Sequence, residues 1–435
     1  MTQLTRQSNL AKAATMTRVG QRSLRDHNLC LVFSHIASAD PQYPLSRARL
    51  ATATGLTKAT VSSLVASLMD ARLVIELRPL THLHAGRPAI PIVVAGGTVA
   101  ALGLEINVDF LGVRALDLTG AVLTESFTRM NLRQSDPAEA FGVLIERVYD
   151  VVRQLVDTRV RIIGACLALP GIADRPYGPL RLAPNLGWRD VDVPQVMAAA
   201  HDKLFHKLFH TGTFDKSIMT DLHTWLVDAL PVDNEANLAA RVEISQNPGE
   251  SFIYVSGEIG IGAAIVVDGE VFTGLHGWAG EIGHIVVDSH GPTCACGASG
   301  CLEMYAGKRS LMIAAGLDPE DTLESLLREY ESGNTMARKA VDRGAEALGM
   351  ALADCMNIVD VDRVVMGGSF SALADVMRKG LSTQVSARVL SSRWLGEEWE
   401  VRASTTGDYP AATGAALAVL AQAVSDPASV LWQPA

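Results

Sequence analysis

The stretch GWAGEIGHIVVDSHGPTCACGASGCLE, residues 277–303, sets a histidine ten positions ahead of a C-x-C and a third cysteine five residues further on. The chain has 435 residues and only six cysteines, so placing three of them in one loop is a concentration that core packing does not require. Zinc takes four borderline or soft ligands in a tetrahedron, and thiolates with an imidazole are its usual structural set. His284, Cys294, Cys296 and Cys301 supply such a set, and Gly291, Gly297 and Gly300 let the backbone fold tightly around it. The loop is expected to hold one structural Zn2+. Few, unevenly spaced cysteines fit a reducing compartment, so a cytoplasmic address is expected.

Composition sets the outer bounds. With 48% hydrophobic residues the chain can bury a large core and reads as more than one domain. No apolar run reaches the roughly 18 residues that a membrane span needs, and the N-terminus lacks the apolar stretch of a secretory signal, so no membrane partner is expected. Net charge is −10, unevenly spread: residues 1–90 carry eleven Lys/Arg against four Asp/Glu, a net +7, which leaves −17 on the remainder. A basic module on an acidic body is the electrostatic footprint of nucleic-acid binding.

That basic segment has the matching pattern. SLRDHNLCLVFSHIAS, residues 23–38, places Leu24, Leu29, Val32, Phe33 and Ile36 at helical spacing. In PLSRARLATATGLTKATVSSLVASLMDARLVIE, residues 44–76, Ser46 caps a short helix, Gly55 breaks it, and Thr57 caps a second helix running to about Ala71. The second helix turns its apolar positions inward and leaves Thr57, Lys58, Thr60, Ser62 and Ser63 exposed at its start, the short donors a major-groove helix needs. Two β-rich runs then flank a loop with His82, His84, Gly86 and Arg87, which reads as a wing. Residues 1–95 are therefore expected to form a winged helix-turn-helix that binds double-stranded operator DNA, with Arg87 as a further contact.

Beyond Val99 the chain alternates strands and helices. VAALGLEINVDFLGVRALDLTGAVLTESF (99–127) gives strands around a Thr-Gly turn, a helix follows from about Pro137 to Asp157, and RIIGACLALPGIAD (161–174) is a buried strand ending in Pro-Gly. SFIYVSGEIGIGAAIVVDGEVFTG (251–274) repeats strand, Gly-rich turn, strand, and VDRVVMGGSF (361–370) is another strand running into Gly-Gly. The repetition predicts two similar lobes around a cleft.

Together with APNLGW (183–188) and VDNEANLAA (232–240), the 277–303 run resembles the signature of the ROK family of repressors, open reading frames and sugar kinases, and in particular its repressor branch. The resemblance implies an α/β, two-lobed actin-like or sugar-kinase fold with ribonuclease-H-like lobes over residues 96–435. The first lobe would span about 96–231 plus the C-terminal end, the second about 232–410. It implies sugar contacts from Asn234, Glu235, Glu281, His284 and Glu303, with His284 serving both metal and sugar, and assembly as a homodimer or a dimer of dimers. Carboxylates and amides are the groups that hold vicinal hydroxyls. Asn237 is read as a turn or capping residue.

The same resemblance exposes departures from the kinase pattern. Glu235 stands where kinase members carry the aspartate base, and one methylene of displacement matters for a reacting group. The phosphate loop Asp-x-Gly-Gly-Thr is here Glu105 to Asp109, with Asn107 and Val108 in place of the glycines, and Glu258 stands in the second phosphate loop. Side chains and acids replace the backbone amides that grip phosphate. A repressor of carbohydrate-metabolism genes, not an enzyme, with a sugar effector bound in a degenerate kinase cleft, is the expectation; a sugar kinase that also binds DNA is the alternative. HDKLFHKLFHTGTFDKSIMTDLH, residues 201–223, has no counterpart in the family pattern and reads as an exposed amphipathic helix.

Overall fold

The computed structural model describes residues 21–40, 42–78, 90–174, 177–209, 216–257, 260–396 and 398–431. Arg87 with the rest of the expected wing loop, and Glu258 in the second glycine-rich turn, lie outside the described residues.

The N-terminal module forms from local signals. Helix α1 (Gln21–Ala37) buries Leu29, Val32, Phe33 and Ile36, whereas Leu24, expected on the same face, is exposed. Strand β1 (Leu45–Ser46) leads into α2 (Arg47–Thr54), whose cap Ser46 accepts the Arg49 N–H at 3.4 Å. Gly55, at φ +71°, ends α2 in the left-handed region, where a Cβ would be strained. Thr57 then caps α3 (Lys58–Asp70), accepting the Thr60 N–H at 3.2 Å. Strands β2 (Val74–Glu76) and β3 (Pro91–Val94) pair antiparallel, and β1 adds to the other side of β3.

The first large sheet takes β4 (Val99–Ile106), β5 (Phe110–Leu116) and β6 (Val122–Arg129) as an antiparallel meander. Helix α4 (Pro137–Asp157), capped by Asp136 with Pro137 at its first position, crosses over to β7 (Arg161–Leu169), parallel to β4. A small antiparallel sheet of β8 (Ile172–Ala173), β9 (Leu180–Ala183) and β10 (Trp188–Val191) follows, then α5 (Val193–Phe209) and α6 (Lys216–His223), which runs into a π-helical turn over Thr224–Asp228. Strand β11 (Val232–Asn234) pairs parallel to β7 and completes the order β11-β7-β4-β5-β6. This differs from the expected start of the second lobe at Val232. Three residues carry too little pattern to declare a partner, and β11 is recruited by the exposed edge of β7.

Helix α7 (Glu235–Gln246) leads to the second sheet: β12 (Phe252–Ser256), β13 (Gly262–Val267) and β14 (Glu270–Phe272). Helices α8 (Glu303–Ala306), α9 (Lys308–Ala315), α10 (Leu323–Glu331) and α11 (Thr335–Val359) precede β15 (Arg363–Gly367). Helices α12 (Ala374–Arg388) and α13 (Leu390–Leu395) precede β16 (Glu400–Ala403), giving the order β14-β13-β12-β15-β16. Both sheets have three antiparallel strands followed by two parallel ones, so the lobes share one topology. Strands β4 and β12 are buried throughout because helices cover both faces of each sheet centre.

The last helices, α14 (Pro410–Ser425) and α15 (Pro427–Leu431), return to the first lobe. Helix α14 packs on β4, β7 and α7, and Gly103 and Gly414 permit it: a Cβ at Gly103 would collide with the Ala412 carbonyl, and one at Gly414 with that of Leu238. Its distal half joins Leu420 and Ala423, with Val430 of α15, to one apolar cluster containing Leu29, Val32, Phe33, Val99 and Ile163. The N-terminal module thus shares a core with the first lobe. Arg161 ties the joint, donating to the Val430 carbonyl at 2.9 Å and to the Ala71 carbonyl, just past α3, at 3.4 Å.

Candidate functional site: a metal loop beside a polar cavity between the lobes

The 277–303 loop is held by short-range backbone bonds. Val287 N–H donates to the Gly300 carbonyl, Cys294 N–H to Ala298 and Gly300 N–H to Pro292. Gly300, at φ +76°, lies so close to the Asp288 carbonyl that no Cβ fits. The folded loop brings the side-chain ligand atoms of His284, Cys294, Cys296 and Cys301 within 4.8 Å of one another. Cys294 Sγ is 3.8 Å from His284 Nδ1, and Cys296 Sγ is 3.6 Å from Cys301 Sγ. A tetrahedron with Zn–S arms of about 2.3 Å has edges of about 3.8 Å, so the donor set and its spacing fit zinc. The three cysteines and the histidine of this group come from one loop, and no disulfide joins the sulfurs. Burial pushes the Cys301 thiol up to about 12 and raises Cys294 as well. Three thiolates so close together require a cation to stay ionised.

The same loop faces a cavity between the lobes, lined by Asn107, Gly171, Asn185, Asn234, Glu235, Glu281, His284 and Glu303 among others. All five residues expected to hold sugar line it. Burial is the main cause that raises the carboxyls of both Glu281 and Glu303, and His284 opposes the rise in each. Glu303 is fixed closely, since a Cβ on Gly260 would strike its carboxylate. Asn234 is partly committed elsewhere: its Oδ1 accepts the Ala236 N–H at 2.8 Å as the cap of α7, and its Nδ2 donates to the Gly171 carbonyl at 3.0 Å. Asn237 does not cap a helix. It is buried in the first turn of α7 and donates to Asp233 Oδ1 at 3.0 Å.

A second, larger cleft of about 730 Å³ adjoins, lined by Glu105, Asn107, Asp109, Glu235, Lys308, Gly368 and Ala411 among others. Asn107 and Glu235 line both spaces, and Asn107 Nδ2 donates to Glu235 Oε2 at 3.0 Å between them. Glu105, buried on β4, accepts the Ala412 N–H at 3.0 Å, at the third residue of α14. A carboxylate therefore occupies the helix terminus where an anion would otherwise be favoured. The capping partner of Glu105 is 307 residues away, and no local pattern in the sequence carries that signal. Asp109 is also less bare than expected, since Arg133 Nη2 lies 3.4 Å from its Oδ1.

On the N-terminal module, Lys58, Ser62 and Ser63 are exposed along the first turns of α3, Thr57 is exposed at its cap, and Thr60 is half-buried. The Thr57 and Thr60 hydroxyls lie 2.9 Å apart, so each is partly satisfied before any ligand arrives. The 201–223 segment is not one exposed helix: it contributes to α5 and α6, and His201 is buried.

The paired lobes, the polar cavity between them and the N-terminal helices define a protein with the two-lobed sugar-kinase-like fold. Residues 210–422 match the model of the ROK family, so the chain carries a ROK family domain. Over 375 residues it is 25% identical to the xylose repressor of Bacillus subtilis (strain 168), covering 85% of this chain and 90% of that one. It is 28% identical over 262 residues to a glucokinase of Halalkalibacterium halodurans, covering 55% of this chain and 71% of that one. A solved ROK family transcriptional regulator, described as a homologue of the E. coli MLC protein, superposes with a TM-score of 0.72 at 21% identity, over 94% of this chain and 99% of that one. The similarity to the xylose repressor covers 85% of the chain, whereas the similarity to the glucokinase covers 55%.

Proposed function

We propose that this chain is a DNA-binding transcriptional repressor that responds to a sugar and does not phosphorylate it. The observation that carries the reading is the Asn107–Glu235 hydrogen bond at the junction of the two cavities. A kinase of this fold needs the carboxylate at that junction as a proton acceptor and an open passage to the nucleotide. Here an amide side chain occupies the passage and takes one carboxylate oxygen, while the Glu105 carboxylate fills the terminus of α14. Sugar recognition asks for less: Asn234, Glu235, Glu281, His284 and Glu303 around one cavity, with Zn2+ on His284, Cys294, Cys296 and Cys301 holding the loop rigid. Zinc supplies structure there, and the chain's own carboxylates supply the contacts to hydroxyls. The similarity to a protein named xylose repressor supports the regulatory half of the reading.

The DNA contacts would come from residues 1–95, with Thr57, Lys58, Thr60, Ser62 and Ser63 on α3 and Arg87 beyond β2. Coupling has a physical route. Helix α14 has 16 residues, about 24 Å of rigid rod, with one end at Glu105 in the cleft and the other against α1. Lobe closure on a sugar would shift that rod and the module packed on its end, biasing the geometry of paired modules in a homodimer or dimer of dimers. The test is a thermal-shift panel of monosaccharides and sugar phosphates, followed by operator binding with and without each hit on a fragment selected from genomic DNA. A sugar that raises the melting temperature and changes operator affinity supports the reading; no stabilising sugar and no selected DNA would refute it.

A further inference from the structure

Away from the zinc loop, two histidines and an aspartate meet on the 201–223 segment. His201 on α5 and His223 at the end of α6 have ring centroids 5.2 Å apart at an interplanar angle of 69°. With Asp202 they offer three ligand atoms lying within 4.8 Å of one another. His201 is only 1% exposed. Its Nε2 lies 3.3 Å from the Tyr149 hydroxyl, also buried, on α4. Its Nδ1 faces Asp202 Oδ1 at 3.6 Å, beyond hydrogen-bond length, and has no hydrogen-bond partner among the described residues.

A buried ring nitrogen facing a carboxylate across a gap is an unfinished arrangement. If Nε2–H donates to the Tyr149 oxygen, the Nδ1 lone pair and the Asp202 carboxylate point at the same space, and both are acceptors. Two converging acceptors need a positive partner between them, either hydrogen-bond donors or a cation, and a cation can engage both at once. Histidines that hold metals characteristically donate their other N–H to an oxygen, which fixes the ring and its tautomer, and Tyr149 is in that place. His223 closes the third side, with Asp228 Oδ1 4.0 Å from its Nε2 as a second carboxylate near that ring. The π-helical turn beginning at Thr224, directly after His223, is of the kind that marks functional positions within helices.

We propose that His201, Asp202 and His223 form a second metal site for a divalent transition ion of the cobalt-to-zinc series, bound through two imidazoles and one carboxylate. Two nitrogen donors out of three disfavour Mg2+ and Ca2+, which take oxygen. The exposed side of Asp202 leaves room for water to complete the coordination. The ion would clip α6 onto α5, and through Tyr149 onto α4 of the first lobe.

Cobalt(II) tests this because it reports its ligands. Full-length, tag-free protein is stripped with a chelator and titrated with Co2+ under reducing conditions. Thiolate-bound Co2+ shows strong near-ultraviolet charge-transfer absorption; imidazole and carboxylate ligands do not. About two Co2+ per chain should bind, only one of them with the thiolate bands. His223→Ala and Asp202→Ala should each weaken the band-free class at least tenfold and leave the thiolate class unchanged, whereas Cys301→Ser should do the reverse. Asp202 is exposed, so its variant decides the matter even if a change at His223 perturbs folding. A wild-type protein without a band-free class, or one whose band-free class survives Asp202→Ala unchanged, would overturn the site; His201 would then be a core histidine bonded to Tyr149.

Discussion

Asn107 and Glu235 stand 128 residues apart in the chain and 3.0 Å apart in space, joined by a hydrogen bond where the two cavities meet. The amide is itself held in orientation, because its Oδ1 accepts the Val108 N–H at 2.7 Å. Asn107→Ala should therefore free Glu235 and open the passage. Sugar affinity is expected to fall by roughly 3–10-fold, about the net worth of one ordinary hydrogen bond, and calorimetric titration with the stabilising sugar measures it. An unchanged affinity would mean that Asn107 does not position the Glu235 carboxylate.

Glu105 should matter more for stability than for binding. Glu105→Ala leaves the Ala412 N–H of α14 without its acceptor in a buried place, a loss of about 1–3 kcal/mol. Glu105→Gln keeps an acceptor oxygen and should recover part of that loss. Denaturant unfolding of the two variants checks the order. Equal stability of both with wild type would remove Glu105 as the cap of this helix.

Loss of the metal loop should disable sensing. Cys301→Ser is expected to lower zinc content, melt the loop first, and abolish stabilisation by sugar, since His284 and Glu303 are presented from that loop. Elemental analysis and the thermal-shift response read the two effects separately. Full sugar stabilisation in metal-free protein would separate the cavity from the metal.

Arg161 offers a test of coupling apart from binding. Its guanidinium joins the Ala71 carbonyl after α3 to the Val430 carbonyl of α15, and burial lowers its proton affinity, the neighbouring Arg72 adding to the effect. Arg161→Ala should leave sugar affinity near wild type and shrink the effect of sugar on operator affinity. Equal sugar sensitivity in the variant would mean that the joint transmits nothing.

The DNA assignment rests on α3. Lys58→Ala should weaken operator binding and reduce the slope of log affinity against log salt by about 0.9 if that lysine meets one phosphate. Fluorescence anisotropy over a salt series gives both quantities. Identical slopes would take Lys58 out of the interface.

What the sequence made legible was local. Ser46, Gly55 and Thr57 mark the ends of α2 and α3 through cap chemistry, and the grouping of His284 with three cysteines as candidate metal ligands declares itself by residue type and spacing. What it hid depends on distant partners. Strand β11 joins the first sheet because β7 has a free edge, a fact held in β7 and not in the three residues of β11. Asn234 looked like a sugar ligand and also caps α7, since the VDNEAN pattern does not say which residue the helix starts on. His201 lay in a polar-looking segment, and its packing against Tyr149 on α4, Phe205 and His223 buries it. The signal that would have helped is the Leu, Phe and Trp spacing on either side of the segment, which makes α5 and the turn after α6 half core.

The sharpest prediction concerns ATP. The similarity to a glucokinase and the cleft of about 730 Å³ beside the sugar cavity favour a bifunctional kinase; the protein's own side chains argue against it. Phosphoryl transfer needs backbone amides on the phosphates, a passage to the sugar hydroxyl and a proton acceptor placed to within a fraction of an ångström. By the resemblance to the kinase pattern, Asn107 and Val108 would stand where the phosphate loop has glycines and Glu235 where the kinases have aspartate; in the structure Glu105 holds the terminus of α14 and Glu235 is bonded to Asn107. Arg133 offsets Asp109, so charge repulsion alone is not the argument; occupancy is. Sugar should raise the melting temperature, ATP with magnesium should not, and a coupled assay should show no ADP release above a no-sugar control. Sugar-dependent ADP release that disappears in Glu235→Gln would establish the kinase instead.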